Sequence, residues 1–276
     1  MKSSRQKLIS LLIEKKLVPS INMAKALILE GRIKIDGKVI DKPGTSVNSN
    51  SLVEIISKIP YVSRGGIKIE KVFNELDLRI SGKKAIDIGA STGGFTDFLI
   101  KNGAEKVITI DVGYGQLSWN LRKSSKVIIL ERTNVRYLDK KKLQFLSDFT
   151  VVDVSFISVK TIFKKILDIT CDNGEILILI KPQFEIARDK VEKKGIIKDK
   201  KLHSKVLLDI IGFIRKQPVK IKKLTYSKLK GTKGNIEYWI YLKKSIKKKK
   251  TIKNYDKIVE EVVDESHIFF KSINNT

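Results

Sequence analysis

The stretch AIDIGASTGGFTD, residues 85–97, runs from a short apolar strand through a glycine-rich turn into the start of a helix. A strand that hands over to a helix in this way is the opening unit of a parallel α/β sheet, and its turn is where a ligand settles, because glycines let backbone come close to it. The dinucleotide fingerprint G-x-G-x-x-G fits only in part. Gly89 and Gly94 take the outer places, but Ser91 stands where backbone must come closest to a pyrophosphate. D-x-G-x-[GS]-x-G fits better, as Asp87, Gly89, Ser91 and Gly93. It sets a carboxylate at the floor of the turn, where it would repel a pyrophosphate and attract the ammonium of an amino-acid-bearing cofactor such as S-adenosylmethionine. A second strand, KVITIDVG, carries Asp111, 22 residues beyond Gly89, about the spacing of an acid that accepts hydrogen bonds from a ribose. The plain alternative is a crossing whose glycines serve packing alone.

Beyond residue 60, strands at 84–89, 106–111, 127–131, 149–154 and 175–181 alternate with helices in FTDFLIKN, VKTIFKKIL and LHSKVLLDIIGFIRK. A helix from about Gly65, with Ile69, Val72, Phe73 and Leu76 on one face, precedes them. VKIKKLTYS and NIEYWIYLK sit too close together for a helical crossover, so they pair antiparallel. Residues 60–245 are therefore expected to form an α/β domain, a Rossmann-like seven-stranded sheet with an antiparallel edge strand, the arrangement of a methyltransferase. Residues 1–59 form a separate α+β unit. Leu8, Leu11, Leu12 and then Met23, Leu27, Ile28 recur at helical spacing around Pro19 and the capping candidate Ser20. RIKIDGKVI turns at Asp36-Gly37 as a hairpin, KPGTSV reads as a loop, and SLVEII is a further strand. Residues 246–276 read as a basic linker, from KKSIKKKK, and a terminal helix.

Charge narrows the partners. Lys+Arg of 56 against Asp+Glu of 30 gives a formal charge of +26, which points to a polyanion, either nucleic acid or an anionic membrane surface. The one cysteine, Cys171, rules out an internal disulfide and a cysteine-rich zinc site, and fits a reducing cytoplasm. KLISLLIEKKL has too short an apolar run for a signal peptide or a span, and ILILI is of strand length, so no stable membrane insertion is expected.

In open α/β sheets ligands collect beyond the carboxyl ends of the strands. There the chain places Asp153, in VVDVSFIS, and Lys181, in ILIKPQFE; Lys68 opens the helix of YVSRGGIK and Glu237 begins the last strand. Taken singly, each reads equally well as a solvated lysine or a capping acid. VVDVSFIS is not the Asn/Asp-Pro-Pro-aromatic loop that holds an exocyclic amine, which counts against base N-methylation. Cys171, in TCDNG, lies in a loop before a strand and lacks a preceding proline, which counts against a nucleophile for C5-methylation. No metal-ligand spacing is present.

Two resemblances follow from these motifs. The helix-helix-hairpin order with LILEGRIKIDGKVIDKPG resembles the S4-type RNA-binding domain, in which the second helix and hairpin present basic groups to folded RNA. This implies Lys7, Lys25, Arg32, Lys34 and Lys38 as RNA contacts, with Arg64 beyond them, although Ile21 stands where the family has arginine after Ser20. YVSRGGIK, DIGASTGGFTD, DVGYGQL, ERTNVR, VVDVSFIS, LIKPQFE and KGTKGNIEY together resemble the TlyA, or hemolysin A, family over residues 5 to about 245. That family joins an S4-type domain to an FtsJ-like methyltransferase acting on the ribose 2′-hydroxyl of cytidine in ribosomal RNA. The resemblance implies a catalytic tetrad of Lys68, Asp153, Lys181 and Glu237, and S-adenosylmethionine held by Asp87, Gly89, Ser91, Gly93, Gly94, Phe95, Asp111, Asn134 and Asp153. It implies ribosomal RNA or ribosomal subunits as partners. Two other readings stand beside it: a membrane-active cytolysin, which should show a spanning segment or long amphipathic helix, and a non-catalytic RNA-binding protein, which requires that the tetrad fail to assemble.

Overall fold

The computed structural model describes residues 5–29, 31–56, 60–187, 195–231, 234–245 and 254–272. The chain falls into two units, residues 1–67 and 68–276. The first contains β1 (Arg5–Lys7), α1 (Leu8–Glu14), α2 (Ile21–Leu29), β2 (Ile33–Ile35), β3 (Lys38–Ile40), β4 (Ser46–Asn48) and β5 (Val53–Ile55). Leu8, Leu11 and Leu12 of α1 and Leu27 and Ile28 of α2 are buried together with Ile33, as their helical spacing predicts. Met23 departs from that expectation. It is 45% exposed, and Ala24 takes the inward position. Ser20 caps α2, its Oγ accepting from the Met23 amide at 3.2 Å. The β2–β3 hairpin turns on Asp36 and Gly37 with left-handed φ of 49° and 74°, the backbone that an Asp-Gly pair adopts most readily. β5 pairs with the other edge of β2. β1 and β4 form a small antiparallel ladder that was not expected: Ser46 and Val47, at the end of KPGTSV, are strand and not loop. A three-residue strand has no room to show alternation.

The second unit is built on a seven-stranded sheet of β6 (Lys84–Ile88), β7 (Lys106–Ile110), β8 (Val127–Leu130), β9 (Ser147–Val152), β10 (Thr170–Ile180), β11 (Val219–Tyr226) and β12 (Tyr238–Lys244), in the order β11-β12-β10-β9-β6-β7-β8. The antiparallel pairing lies at one edge, where β12 runs against both β10 and β11. The unit boundary falls within α3 (Arg64–Leu76), of which Ile69, Val72 and Phe73 are buried, whereas Leu76 is half-buried. The sheet is flanked by α4 (Gly94–Lys101), the short α5 (Trp119–Arg122), α6 (Val159–Ile169), α7 (Lys200–Ile214) and α8 (Tyr255–Ser272). Val259 and Val263 of α8 are fully buried, so the terminal helix belongs to this core; residues 246–253 of the expected linker lie outside the described residues. The two histidines join α8 to α7, His203 Nδ1 lying 3.0 Å from His267 Nε2.

Cys171 is a correction. TCDNG is not a loop before the strand but the first part of β10, where the register with β9 breaks between Thr170 and Glu175. Turn-forming Asp-Asn-Gly sits in that irregularity, which is why it reads as a loop. The thiol therefore lies at the opposite end of the strand from Lys181, roughly 20–25 Å away at about 3.3 Å per residue once the irregularity is discounted.

Candidate active site

Register brings the four tetrad candidates together. β10 and β12 run antiparallel with Ile180 opposite Tyr238, so one step further places Lys181 level with Glu237. On its other side β10 pairs with β9, Val152 opposite Ile178, and Asp153 follows Val152 at the same end of the sheet. Lys68 enters from α3. The four form two ion pairs: Lys181 Nζ lies 2.6 Å from Asp153 Oδ1, and Lys68 Nζ donates to Glu237 Oε2 at 2.6 Å. Lys181, Lys68 and Glu237 expose only 12%, 13% and 3% of their side chains. Charges so far from water persist only in pairs, so losing either member of a pair strands the other.

Electrostatics couples the pairs. Burial alone would raise the Asp153 carboxyl, but the charges of Lys181 and Lys68 outweigh it and hold it below the ordinary carboxylate range. Burial alone would lower the Lys181 ammonium, but Asp153 and Glu237 outweigh that and hold it above the ordinary lysine value. The protein without substrate thus keeps Lys181 as ammonium at neutral pH.

A cavity of about 580 Å³ opens at the ends of β6, β7 and β9, within the range of a small-molecule site. Gly89, Ser91, Asp111, Asn134 and Asp153 line it, between apolar walls that include Ile88, Ile110, Val135 and Ile157. Gly89 could be no other residue. Its φ is +86°, and a Cβ there would lie 2.3 Å from the Asp153 carbonyl oxygen. Asp111 ties the turn to the loop after β7, its two oxygens accepting from the Ser91 amide at 2.8 Å and the Gly113 amide at 2.7 Å. Asn134 accepts from the Arg136 amide at 3.0 Å. Apolar walls for a base, a carboxylate for ribose hydroxyls and an open glycine turn suit a nucleoside with a charged amino-acid tail.

Four cofactor candidates lie outside the cavity lining. Gly93 caps α4 with φ of 93°, Gly94 is buried in its first turn, and Phe95 packs on Trp239 with ring centres 5.7 Å apart. Asp87 is fully buried. Thr96 Oγ1 donates to its Oδ2 at 2.7 Å, and its Oδ1 has no partner among the described residues. Burial, with the charges of Asp153 and Asp111 adding to it, pushes its carboxyl up to about 7. Asp87 is thus only partly ionised at neutral pH and a weaker counter-charge than its place in the motif suggests. An acid whose folded pKa is raised from 3.8 to about 7 takes up a proton on folding between those values, so stability falls as pH climbs through that window and levels off above it. Melting curves of Asp87→Asn should lose this slope between pH 4 and 7, because an amide can still accept from Thr96 and does not ionise.

Ser155, Gln116 and Thr133 also line the cavity and were not singled out from the sequence. Ser155 stands three residues past the end of β9, the one signal that could have found it. The RNA candidates belong to the first unit. Lys25 and Lys38 are exposed, and Lys7 Nζ reaches the Gly44 carbonyl at 3.4 Å. Arg32 Nε donates to the Ile56 carbonyl at 3.3 Å, Lys34 lies 3.9 Å from Glu54, and Arg64 lies 3.8 Å from Asp41. Among the described residues no group of three or more His, Cys, Asp or Glu is placed to hold a metal, and no helix is long and apolar enough to cross a membrane.

Residues 61–244 match the FtsJ-like methyltransferase family and residues 6–53 the S4 domain. The 16S/23S rRNA (cytidine-2′-O)-methyltransferase TlyA of Mycobacterium tuberculosis is 32% identical over 92% of this chain and 96% of its own. Hemolysin A of Brachyspira hyodysenteriae is 40% identical over 79% of this chain and 92% of its own. A solved structure from Streptococcus thermophilus that bears the hemolysin name superposes with a TM-score of 0.78 at 33% identity, covering 99% of both chains.

Proposed function

The chain belongs to the TlyA group of FtsJ-like methyltransferases, and from that premise we propose that it transfers a methyl group from S-adenosylmethionine to the ribose 2′-hydroxyl of a cytidine in ribosomal RNA. The observation that carries the proposal is the meeting of Lys68, Asp153, Lys181 and Glu237 beside a nucleoside-sized cavity. When bound, S-adenosylmethionine supplies a methyl carbon made electrophilic by the positive sulfur. Gly89, Ser91, Asp111, Asn134 and Asp153 would hold it, since these residues line the cavity. A ribose hydroxyl is too weak an acid to attack that carbon unaided, so a base must take its proton as the new bond forms. Lys181 Nζ is that base. Asp153 orients it, and the Lys68 charge steadies the developing negative oxygen, with Glu237 holding Lys68 in place. The chemistry otherwise needs only that the reactants be held in line and close.

The S4 domain and the +26 charge account for the other half of the substrate, a large folded polyanion met by basic groups on phosphates. Ribosomal subunits in the cytoplasm are the partner this implies. Asp111 gives a direct check on the donor. Because it both faces the cavity and pins the Ser91 turn, Asp111→Ala should weaken S-adenosylmethionine binding by roughly 1–3 kcal/mol, the worth of a lost charge-assisted hydrogen bond. Calorimetry on the purified protein reads this. Binding of NAD with no signal for S-adenosylmethionine would refute the donor assignment, and so the proposed reaction.

A further inference from the structure

The proposed reaction leaves one contact of Lys181 unused. Its Nζ donates to Ser155 Oγ at 3.0 Å, beside the 2.6 Å ion pair with Asp153. Ser155 is exposed and lines the cavity, yet its loop is fixed. The segment after β9 and the turn after β10 are fastened to each other along their length. Beyond the two contacts of Lys181, the rings of Phe156 and Phe184 lie 4.8 Å apart, and Ser158 Oγ and the Val159 amide donate to Glu185 at 2.5 Å and 2.8 Å. Phe156, directly after Ser155, takes a left-handed φ of 66°, which a bulky residue keeps only where its surroundings impose it.

We infer that Ser155 is a positioning residue that, together with Asp153, aims the lone pair of Lys181 at the ribose hydroxyl. The inference rests on the reading of Lys181 as the base. A neutral amine has two N–H bonds and one lone pair in a tetrahedral arrangement. With one N–H turned to Asp153 and the other to Ser155, the lone pair is left a single direction. With Asp153 alone, the amine can turn its lone pair into either of two directions, one of them the place Ser155 now takes. The hydroxyl oxygen forms its bond to the methyl carbon as the sulfur–carbon bond breaks, its pair staying on sulfur, and the hydroxyl proton ends on Nζ. The resulting ammonium keeps Asp153 and Ser155 as partners, and its third N–H is the one that carries the transferred proton.

Ser155 also accepts from Nζ in the charged state, so it favours the ammonium alongside Asp153 and Glu237 and against Lys68. Removing its hydroxyl should therefore make Lys181 easier to deprotonate and yet worse aimed. A merely structural role would not move these two readouts in opposite senses.

The test uses the full chain carrying Ser155→Ala, Ser155→Thr or Lys181→Ala. Single-turnover methyl transfer is measured with saturating S-adenosylmethionine and ribosomal subunits, and binding of both is measured separately. Competitive acetylation of Lys181 against pH, read by mass spectrometry on the ligand-free protein, reports its protonation without any turnover. Ser155→Ala is expected to react about 10-fold more slowly at saturating donor and RNA, the scale of one hydrogen bond to a charged group, with RNA affinity unchanged. Its Lys181 acetylation should rise at lower pH than in the parent, and Ser155→Thr should restore both. Unchanged rate and acetylation in Ser155→Ala overturn the inference, as does a slower rate traced wholly to weaker RNA binding. Near-normal turnover in Lys181→Ala would overturn the base assignment itself, and this inference with it, so the two failures are told apart.

Discussion

Lys181→Ala is expected to cut single-turnover methyl transfer by about 10²- to 10⁴-fold, the usual worth of a positioned base, while leaving S-adenosylmethionine affinity nearly intact. Lys181 sits at the end of β10 with its Nζ on Asp153 and does not line the donor cavity, so the loss should fall on the chemical step. Because Asp153 and Glu237 hold its ammonium above the ordinary lysine value, Lys181 acting as the base would do so through a small neutral fraction. The parent rate should climb with pH through the neutral range, about tenfold per unit, as that fraction grows. The alanine variant should lose this climb along with its rate. Measuring single-turnover rates from pH 7 to 9 for both proteins checks the pair of expectations. A pH-independent parent rate would mean that Lys181 does not act as the base.

Gly89→Ala should be the most damaging change outside the tetrad. The added Cβ, whose position the backbone fixes, would meet the backbone carbonyl oxygen of Asp153 at 2.3 Å, so no side chain can swing away to relieve the overlap. The residue also holds φ of +86°, where any side chain is strained. Either the glycine turn or the end of β9 has to shift, and both carry groups that line the cavity. S-adenosylmethionine binding should fall at least 100-fold, about 3 kcal/mol, the scale of strain and overpacking together. Calorimetry gives the affinity. Circular dichroism and the melting temperature show whether the loss is local or reaches the whole sheet. Binding within a fewfold of the parent would mean that the turn has more freedom than its contact with Asp153 allows.

Much of the second unit was legible because its signals are local. An apolar run followed at once by Asp153, Lys181 or Asp111 marks a strand end, and strand ends are where such a sheet builds its site. The Asp36-Gly37 hairpin and the Ser20 cap were legible for the same reason. Features that depend on what packs above or beside a residue were not. Nothing in VVDVSFIS tells that Ser155 will face Lys181, because that contact is made by two loops 26 residues apart. Asp87 looked like a charge offered to a ligand until burial placed it below the cavity, where its carboxyl is pushed up to about 7. The start of β10 reads as a loop because Asp-Asn-Gly favours turns, while the sheet absorbs it as an irregularity. Met23 shows the limit of periodicity: helical spacing fitted it to the buried face, and the smaller Ala24 took the place.

The position of the transferred methyl group tests the proposed reaction most directly. Ribosomal subunits from cells lacking the gene would be incubated with the purified protein and S-adenosylmethionine carrying an isotopically labelled methyl, then digested to nucleosides and resolved by mass spectrometry. The account predicts label in 2′-O-methylcytidine, dependent on Lys181 and absent from every base. Label on a base, or none on RNA from either subunit while the protein binds its donor, would contradict it.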